Sequence, residues 1–235
     1  MPQRRRTNVR QGMSKRTVIV SGGELEKEFV LSVLKESNGS CIIAVDKGME
    51  FLYENGIKPS YIVGDFDSVK EEVARYYREE TTIPIREYNP EKDASDTEIA
   101  VRFAVALGCQ EMLILGATGG RLDHLWANVQ TLVIPFRAGI DARILDTENQ
   151  IRLLGKETHI RKKDAFGKYF SVFPFGGEVY GFNITGARYP LRNHMLTPYD
   201  SLCVSNQIQD EEVVISFPAG IVILMETRDK EEEDK

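Results

Sequence analysis

The chain has 235 residues, 42% of them hydrophobic, with a net charge of −6 and a pI near 5.3. This is ample apolar material for one large or two ordinary domains, and the acidic balance argues against a nucleic-acid partner. The longest apolar runs fall far short of the roughly 20 residues a membrane helix needs, so no membrane partner is expected, and no signal peptide is visible. Cys41, Cys109 and Cys203 lack CxxC spacing, which argues against a disulfide framework or zinc cluster and fits buried residues in a cytoplasmic protein.

In chain order, the basic opening "MPQRRRTNVRQGMSKR" has no apolar periodicity. Residues 1–15 read as a disordered lead-in, with an RNA-binding arm as the sharper alternative. Over residues 16–142 strand candidates alternate with helical stretches: "TVIVSG" (17–22), "CIIAVD" (41–46), "YIVGDF" (61–66) and "EMLILG" (111–116). This is the rhythm of a parallel, Rossmann-like α/β sheet covered by helices. A helix after "EKDASDTE" carries Ile99, Phe103 and Leu107 at i, i+4 and i+8 and stops at Gly108; another is expected from Leu122 to Phe136, interrupted late by Pro135. Trp126 is expected in the core.

Residues 143–228 change to short alternating runs, "QIRLLG", "KYFSVFPF", "EVYGFNI", "SLCVSNQI" and "EVVISFPAGIVILMET", punctuated by GG, TG, TP and PAG turns. That pattern predicts an antiparallel β-sandwich or barrel, with 229–235 a solvated acidic tail. The expected architecture is α/β followed by all-β.

Ligands of open α/β sheets bind beyond the carboxyl ends of the strands. Gly22 and Gly23 follow the first strand candidate, Asp46 ends the second, "GDFDS" ends the third and "GATGGRLDH" ends the fourth. In an extended chain Asp65 and Asp67 would share a face, and in "KDASD" Asp93 and Asp96 would share a face across the first turn of a helix. Ser95 with Glu98 also fits a capping box, so a structural reading of these aspartates stays open. Two carboxylates ~5 Å apart repel by about 3 kcal/mol at an effective dielectric of 20, and several such pairs call for a cation. The candidate ligands are all hard oxygens, which suits Mg²⁺ and a phosphate-bearing partner better than zinc. GxxxxGK[ST] and GxGxxG are both absent. Gly119 and Gly120 either form a plain turn or let backbone N–H groups approach phosphate. His124 reads as tying down this loop in preference to direct catalysis, and it could share a face with Asn128. His159 and His194 show no companion carboxylate pattern.

With "GDFDS", "KDASD" and "GATGGRLDH" in that order, the chain resembles the thiamine pyrophosphokinases (thiamine diphosphokinases) over about residues 18–225. The resemblance implies an α/β catalytic domain followed by a β-sandwich thiamine-binding domain, assembled as a homodimer. It implies transfer of the pyrophosphoryl group of ATP to thiamine, giving AMP. By motif, Asp65, Asp67, Asp93 and Asp96 would hold Mg²⁺; Asp67, Asp96, Lys92 and Arg121 would serve catalysis. Gly22, Gly23, Asp46, Gly119, Gly120, Arg121, Asp123, His124 and Asn128 would meet the nucleotide. Segments "GARYPL" and "VSN" resemble the binding domain's, making Ser205 and Asn206 candidates for thiamine contact. Ser95 stands in place of the usual threonine of KDxTD, and "DKG" (46–48) in place of DGG. The second half lacks the tryptophan that some relatives stack on the pyrimidine; Tyr189, Phe217 and Tyr199 are the aromatic candidates. Two rival readings are a haloacid-dehalogenase-like phosphatase with Asp65 as nucleophile and a non-catalytic metal-nucleotide-binding module; a glycosyltransferase DxD is a further one.

Overall fold

The computed structural model describes residues 15–64, 66–86, 94–199 and 201–230. The expected lead-in lies almost wholly outside them, as do most of the tail, Asp65, Lys92 and Asp93. The elements in chain order are β1 (Arg16–Val20), α1 (Lys27–Glu36), β2 (Cys41–Val45), α2 (Gly48–Glu54), β3 (Tyr61–Val63) and α3 (Glu71–Arg75), which runs into a π-helical turn. Then come β4 (Ile85–Arg86), α4 (Asp96–Ala106), β5 (Glu111–Leu115), α5 (Leu122–Thr131), α6 (Val133–Arg137) and β6 (Asp141–Leu145). The rest is strand: β7 (Asn149–Leu154), β8 (Thr158–Arg161), β9 (Tyr169–Pro174), β10 (Val179–Thr185), β11 (Leu191–Leu196), β12 (Asn206–Gln207), β13 (Glu212–Ser216) and β14 (Val222–Thr227).

The first half is the expected parallel sheet, in the order β4-β3-β2-β1-β5-β6. Its strands are apolar at consecutive positions because both faces are covered. Ile19, Ile43, Val63, Ile114 and Ile144 meet α4 and α5 through Ala100, Val101, Phe103, Ala104 and Val129. Val18, Val20, Ala44, Ile62, Leu113 and Leu115 meet α1, α2 and α3 through Val30, Leu34, Met49, Leu52 and Val73. Burying each such aliphatic side chain contributes roughly 1.5–3 kcal/mol.

The same sheet then continues antiparallel through β7, β14, β9 and β12, while β11-β10-β13-β8 form a second antiparallel sheet. Between the two lies a third core of Phe170, Val172, Leu224, Phe182, Ile184 and Ile215. Of the three aromatic candidates, Phe217 belongs to this core, stacked on Phe182 at 6.0 Å, whereas Tyr189 and Tyr199 are exposed. The expected division between 142 and 143 falls inside β6, whose residues pair with β5 on one side and β7 on the other.

Several local expectations change. The third strand ends at Val63 instead of running to residue 66: Gly64 has φ 146° and Phe66 φ 66°, neither of them strand backbone. The expected pairing of Asp65 with Asp67 rests on Asp65, which lies outside the described residues. Helix α4 starts at Asp96 behind its N-cap Ser95, and the expected partner Asp93 lies outside the described residues. The helix expected over 122–136 divides at Leu132; Pro135 cannot donate to the Thr131 carbonyl, so the first helix stops there and Pro135 sits in the first turn of the second. Trp126 is 53% exposed rather than in the core. Within "SLCVSNQI" only Asn206 and Gln207 form a strand. β4, β6, β8 and β11 were not anticipated.

Candidate active site

The loops at the carboxyl ends of the parallel strands close on one another through backbone contacts that exclude side chains. After β1, Ser21 N–H donates to the Leu115 carbonyl (2.8 Å), Gly23 N–H to that of Gly116 (2.7 Å) and Glu24 N–H to that of Thr118 (3.1 Å). A Cβ on Gly23 would lie 2.5 Å from two of these carbonyl oxygens, Gly116 and Thr118. The β2 loop packs next to it: Gly22 faces Lys47, and Gly48 abuts the Val20 carbonyl. Asp46, with φ 48°, places Oδ1 against Gly64 at the end of β3. A short polar side chain is among the few that tolerate such a left-handed backbone.

Phe66 explains why the aspartates of "GDFDS" flank an aromatic ring. It is buried, packs with the core under α2 and α3, and lies 4.4 Å beneath the Arg78 guanidinium. The ring anchors the loop while Asp67 is exposed beyond it. Helix α4 is joined to the same edge by a 2.5 Å hydrogen bond between the hydroxyls of Ser21 and Thr97, one residue beyond Asp96. Ser95 caps α4, its Oγ accepting from Glu98 N–H at 3.2 Å. Segments bearing Gly22, Gly23, Asp46, Asp67, Asp96, Gly119 and Gly120 thus share one edge of the sheet. Among the described residues no group of three or more His, Cys, Asp or Glu side chains is placed to hold a metal. Asp65 and Asp93 lie outside those residues.

The loop after β5 has two left-handed glycines, Gly119 (φ 80°) and Gly120 (φ 61°). It leads into α5, whose N-cap Arg121 makes no side-chain cap bond. Unsatisfied N–H groups at a helix start favour an anion. Arg121 instead pairs with Asp123, Nη2 to Oδ2 at 2.5 Å, and both are exposed. Arg121 holds the Asp123 carboxyl below its ordinary range, helped by His124 N–H at 2.9 Å. His124 does not tie down the loop: it is exposed, while the buried Asn128 amide donates to the Ala117 carbonyl at 2.8 Å and does so.

A cleft of about 680 Å³ opens between β1 and β5, where the connections run off in opposite directions along the sheet. Its walls include Glu24, Phe29, Thr118, Gly119, Leu145 and the β6–β7 turn. That turn is fixed by Asp146, which accepts from Glu148 N–H (2.8 Å) and Asn149 N–H (2.6 Å). Sequence reasoning missed Thr97 and this turn. "DTEN" was the available signal, an aspartate accepting from backbone two and three residues on.

In the second half, the Asn206 side chain bridges the two segments named from the sequence. Its Oδ1 accepts from Tyr189 N–H (3.0 Å) and Gln207 N–H (2.9 Å), and its Nδ2 donates to the Tyr189 carbonyl (2.8 Å). Asn206 is 3% exposed, whereas Ser205, at φ 57°, faces solvent. Contrary to expectation, His159 has carboxylate companions: Glu212 at 2.8 Å from Nδ1 and Glu157 at 3.2 Å from Nε2. Glu212 first, then Glu157, raises its pKa.

An open α/β sheet with a cleft at its point of strand reversal, continued into a two-sheet β-structure, defines a ligand-binding α/β enzyme scaffold with an appended recognition module. Two family models match in tandem: thiamin pyrophosphokinase, catalytic domain, over residues 34–144, and thiamin pyrophosphokinase, vitamin B1 binding domain, over residues 157–222. A Bacillus subtilis thiamine pyrophosphokinase is 35% identical over 188 residues, 80% of this chain and 87% of that protein. The crystal structure of thiamine pyrophosphokinase from Bacillus subtilis superposes with a TM-score of 0.81 at 30% identity, covering 92% of this chain and all of that one. The crystal structure from Geobacillus thermodenitrificans gives 0.79 at 31%, covering 92% and 99%. The chain belongs to the thiamin pyrophosphokinase family.

Proposed function

We propose that this protein transfers the pyrophosphoryl group of ATP to the hydroxyl of thiamine, giving thiamine diphosphate and AMP, as a Mg²⁺-dependent cytoplasmic homodimer. The observation that carries the reading is the tandem match to the catalytic and vitamin B1 binding models, on a sheet whose cleft lies at the strand reversal. Location of "GDFDS" after the third strand, not the first, disfavours the phosphatase reading.

In the reaction the thiamine hydroxyl oxygen forms a bond to the β-phosphorus of ATP. The bond from that phosphorus to the oxygen bridging the α-phosphorus breaks, AMP leaves with this oxygen, and the hydroxyl proton is released. Such transfer depends on positioning and charge neutralisation rather than covalent catalysis. ATP's phosphates fit the left-handed Gly119–Gly120 loop that leads into α5, with Gly22, Gly23 and Asp46 lining the adjoining edge. Asn128 supports that loop from beneath. Arg121 and Lys92 are assigned to the non-bridging oxygens, and His124 and Asp123 to the rim of the phosphate site. The all-oxygen donor set of Asp65, Asp67, Asp93 and Asp96 suits Mg²⁺, which when bound neutralises phosphate charge. Ser205 and the Asn206-held segment are assigned to thiamine.

The test is incubation with ATP, Mg²⁺ and thiamine, with chromatography of the products. AMP and thiamine diphosphate in equal amounts are expected. Asp67→Asn and Asp96→Asn each lower turnover by about 100-fold or more, in line with losing a transition-state charge stabiliser, while circular dichroism is unchanged. Free phosphate from generic esters, binding without turnover, or wild-type rates in either variant would overturn the assignment.

A further inference from the structure

The inward arc of α5 is filled by Asn128 and Val129, both buried, and by Leu125, which lines the cleft. Leu122 and Trp126 lie outside that arc, 78% and 53% exposed. Four residues apart, they sit one above the other on a single face of the helix, and Asp123, three residues before Trp126, borders the same face. A long side chain in a helix leans toward the N-terminus and covers the turn that precedes it. The indole therefore lies over the first turn of α5, beside Asp123 and directly behind the Gly119–Gly120 loop. Among the described residues no other ring or cation stacks on it.

Reach decides what can rest on this ledge. With the phosphates at the Gly119–Gly120 loop, the attacking oxygen must come within about 3–3.5 Å of the β-phosphorus. In thiamine a hydroxyethyl arm alone separates that oxygen from the thiazolium ring, so the ring must lie close beside the loop. Trp126 stands about 6 Å along the axis from Leu122, where α5 begins, and its indole leans back across that interval. The adenine of ATP is held away from the β-phosphorus by a ribose and the α-phosphate, and the cleft of about 680 Å³ is open to it. Charge points the same way: the thiazolium is a permanent cation, and tryptophan is the best cation–π partner among the side chains. Asp123 is paired with Arg121. When Arg121 turns to the phosphate oxygens, that carboxylate is left to face the cation.

We propose that Trp126, with Asp123 beside it, is the platform on which the thiazolium ring of the acceptor lies, so that its hydroxyl reaches the phosphate loop. The indole face supplies cation–π attraction, and the carboxylate supplies the counter-charge. The inference rests on the functional reading above, since thiamine is the cation that reading provides.

Trp126 is the only tryptophan of the chain, so selectively excited indole fluorescence reports on this position alone. The experiment titrates the wild-type protein with thiamine, with a neutral thiophene analogue of thiamine and with AMP. Thiamine is expected to quench the emission saturably and to shield the indole from acrylamide, whereas AMP does neither. The neutral analogue binds about tenfold more weakly than thiamine. In steady-state kinetics Trp126→Leu raises KM for thiamine about tenfold and leaves KM for ATP and the melting temperature unchanged. Trp126→Phe, which keeps an aromatic face, recovers most of that loss. Emission unmoved by thiamine while the enzyme converts it, or quenching by AMP in its place, overturns the platform and leaves the enzyme assignment standing. So does an indole already shielded from acrylamide by a second copy of the chain, or equal affinity for the neutral analogue. A wild-type protein that neither binds nor converts thiamine overturns both.

Discussion

Replacing Asn206 by alanine tests whether the buried amide holds the "YPL" and "SN" segments together. The side chain makes three hydrogen bonds of 2.8–3.0 Å, two of them closing a ring with the Tyr189 backbone. At a net contribution of about 1 kcal/mol per bond, their removal costs about 3 kcal/mol. Tyr189 is 57% exposed, so water reaches part of the stranded backbone and the larger desolvation penalty does not apply in full. For a chain of this length ~2–4 °C accompanies each kcal/mol, so Asn206→Ala should melt ~6–12 °C lower. Urea denaturation followed by circular dichroism gives the free energy directly, and the slope with denaturant should not change. A loss smaller than about 1 kcal/mol would mean that these bonds do not hold the segment, and that Asn206 serves the substrate alone.

Two other perturbations probe different parts of the molecule. In Gly23→Ala the new methyl would stand 2.5 Å from the carbonyl oxygens of Gly116 and Thr118, so the β1 and β5 loops must separate. A stability loss of about 1–3 kcal/mol is expected, as for other overpacking changes, together with a raised KM for ATP; wild-type values of both would refute the close approach. The third concerns pH. Glu212 and Glu157 raise the pKa of His159, so the protonated imidazole favours the folded state. The stabilisation is present in full below the unfolded-state value, near 6.5 for a model histidine, and is lost as pH rises through the folded-state value. Melting temperatures across this window should show the dependence in wild type and lack it in His159→Gln; identical profiles would exclude His159 as its source.

How far the fold could be read depended on whether neighbouring residues or distant ones determined each feature. "TVIV", "CIIAV" and "EMLIL" were legible because a strand buried on both faces must be continuously apolar, and the glycine and acidic segments after them fell where such sheets carry loops. The full length of the third strand was not legible because Phe66 takes a left-handed backbone and a core position against α2, α3 and Arg78, a demand made by distant residues rather than by its sequence neighbours. Trp126 was misplaced because the apolar arc of α5 is broader than the surface available to it: Val129 is covered, whereas Leu122 and Trp126 are left outside. β11 escaped notice because its bulge at Asn193 destroys the alternation by which strands are recognised. Asn206 was picked out by its motif, yet its bond to Tyr189, 17 residues away, is a tertiary fact.

The unbroken passage from β6 into β7 has a consequence for anyone who would dissect this protein. Cleaving the backbone at the tight turn between them would not liberate two self-sufficient pieces. Each fragment would bear a raw hydrogen-bonding margin, able to recruit foreign strands into aggregates. The chain should therefore resist expression as separate halves, and relative movement of its two parts must be accommodated by twisting of the shared sheet, since no slack tether joins them.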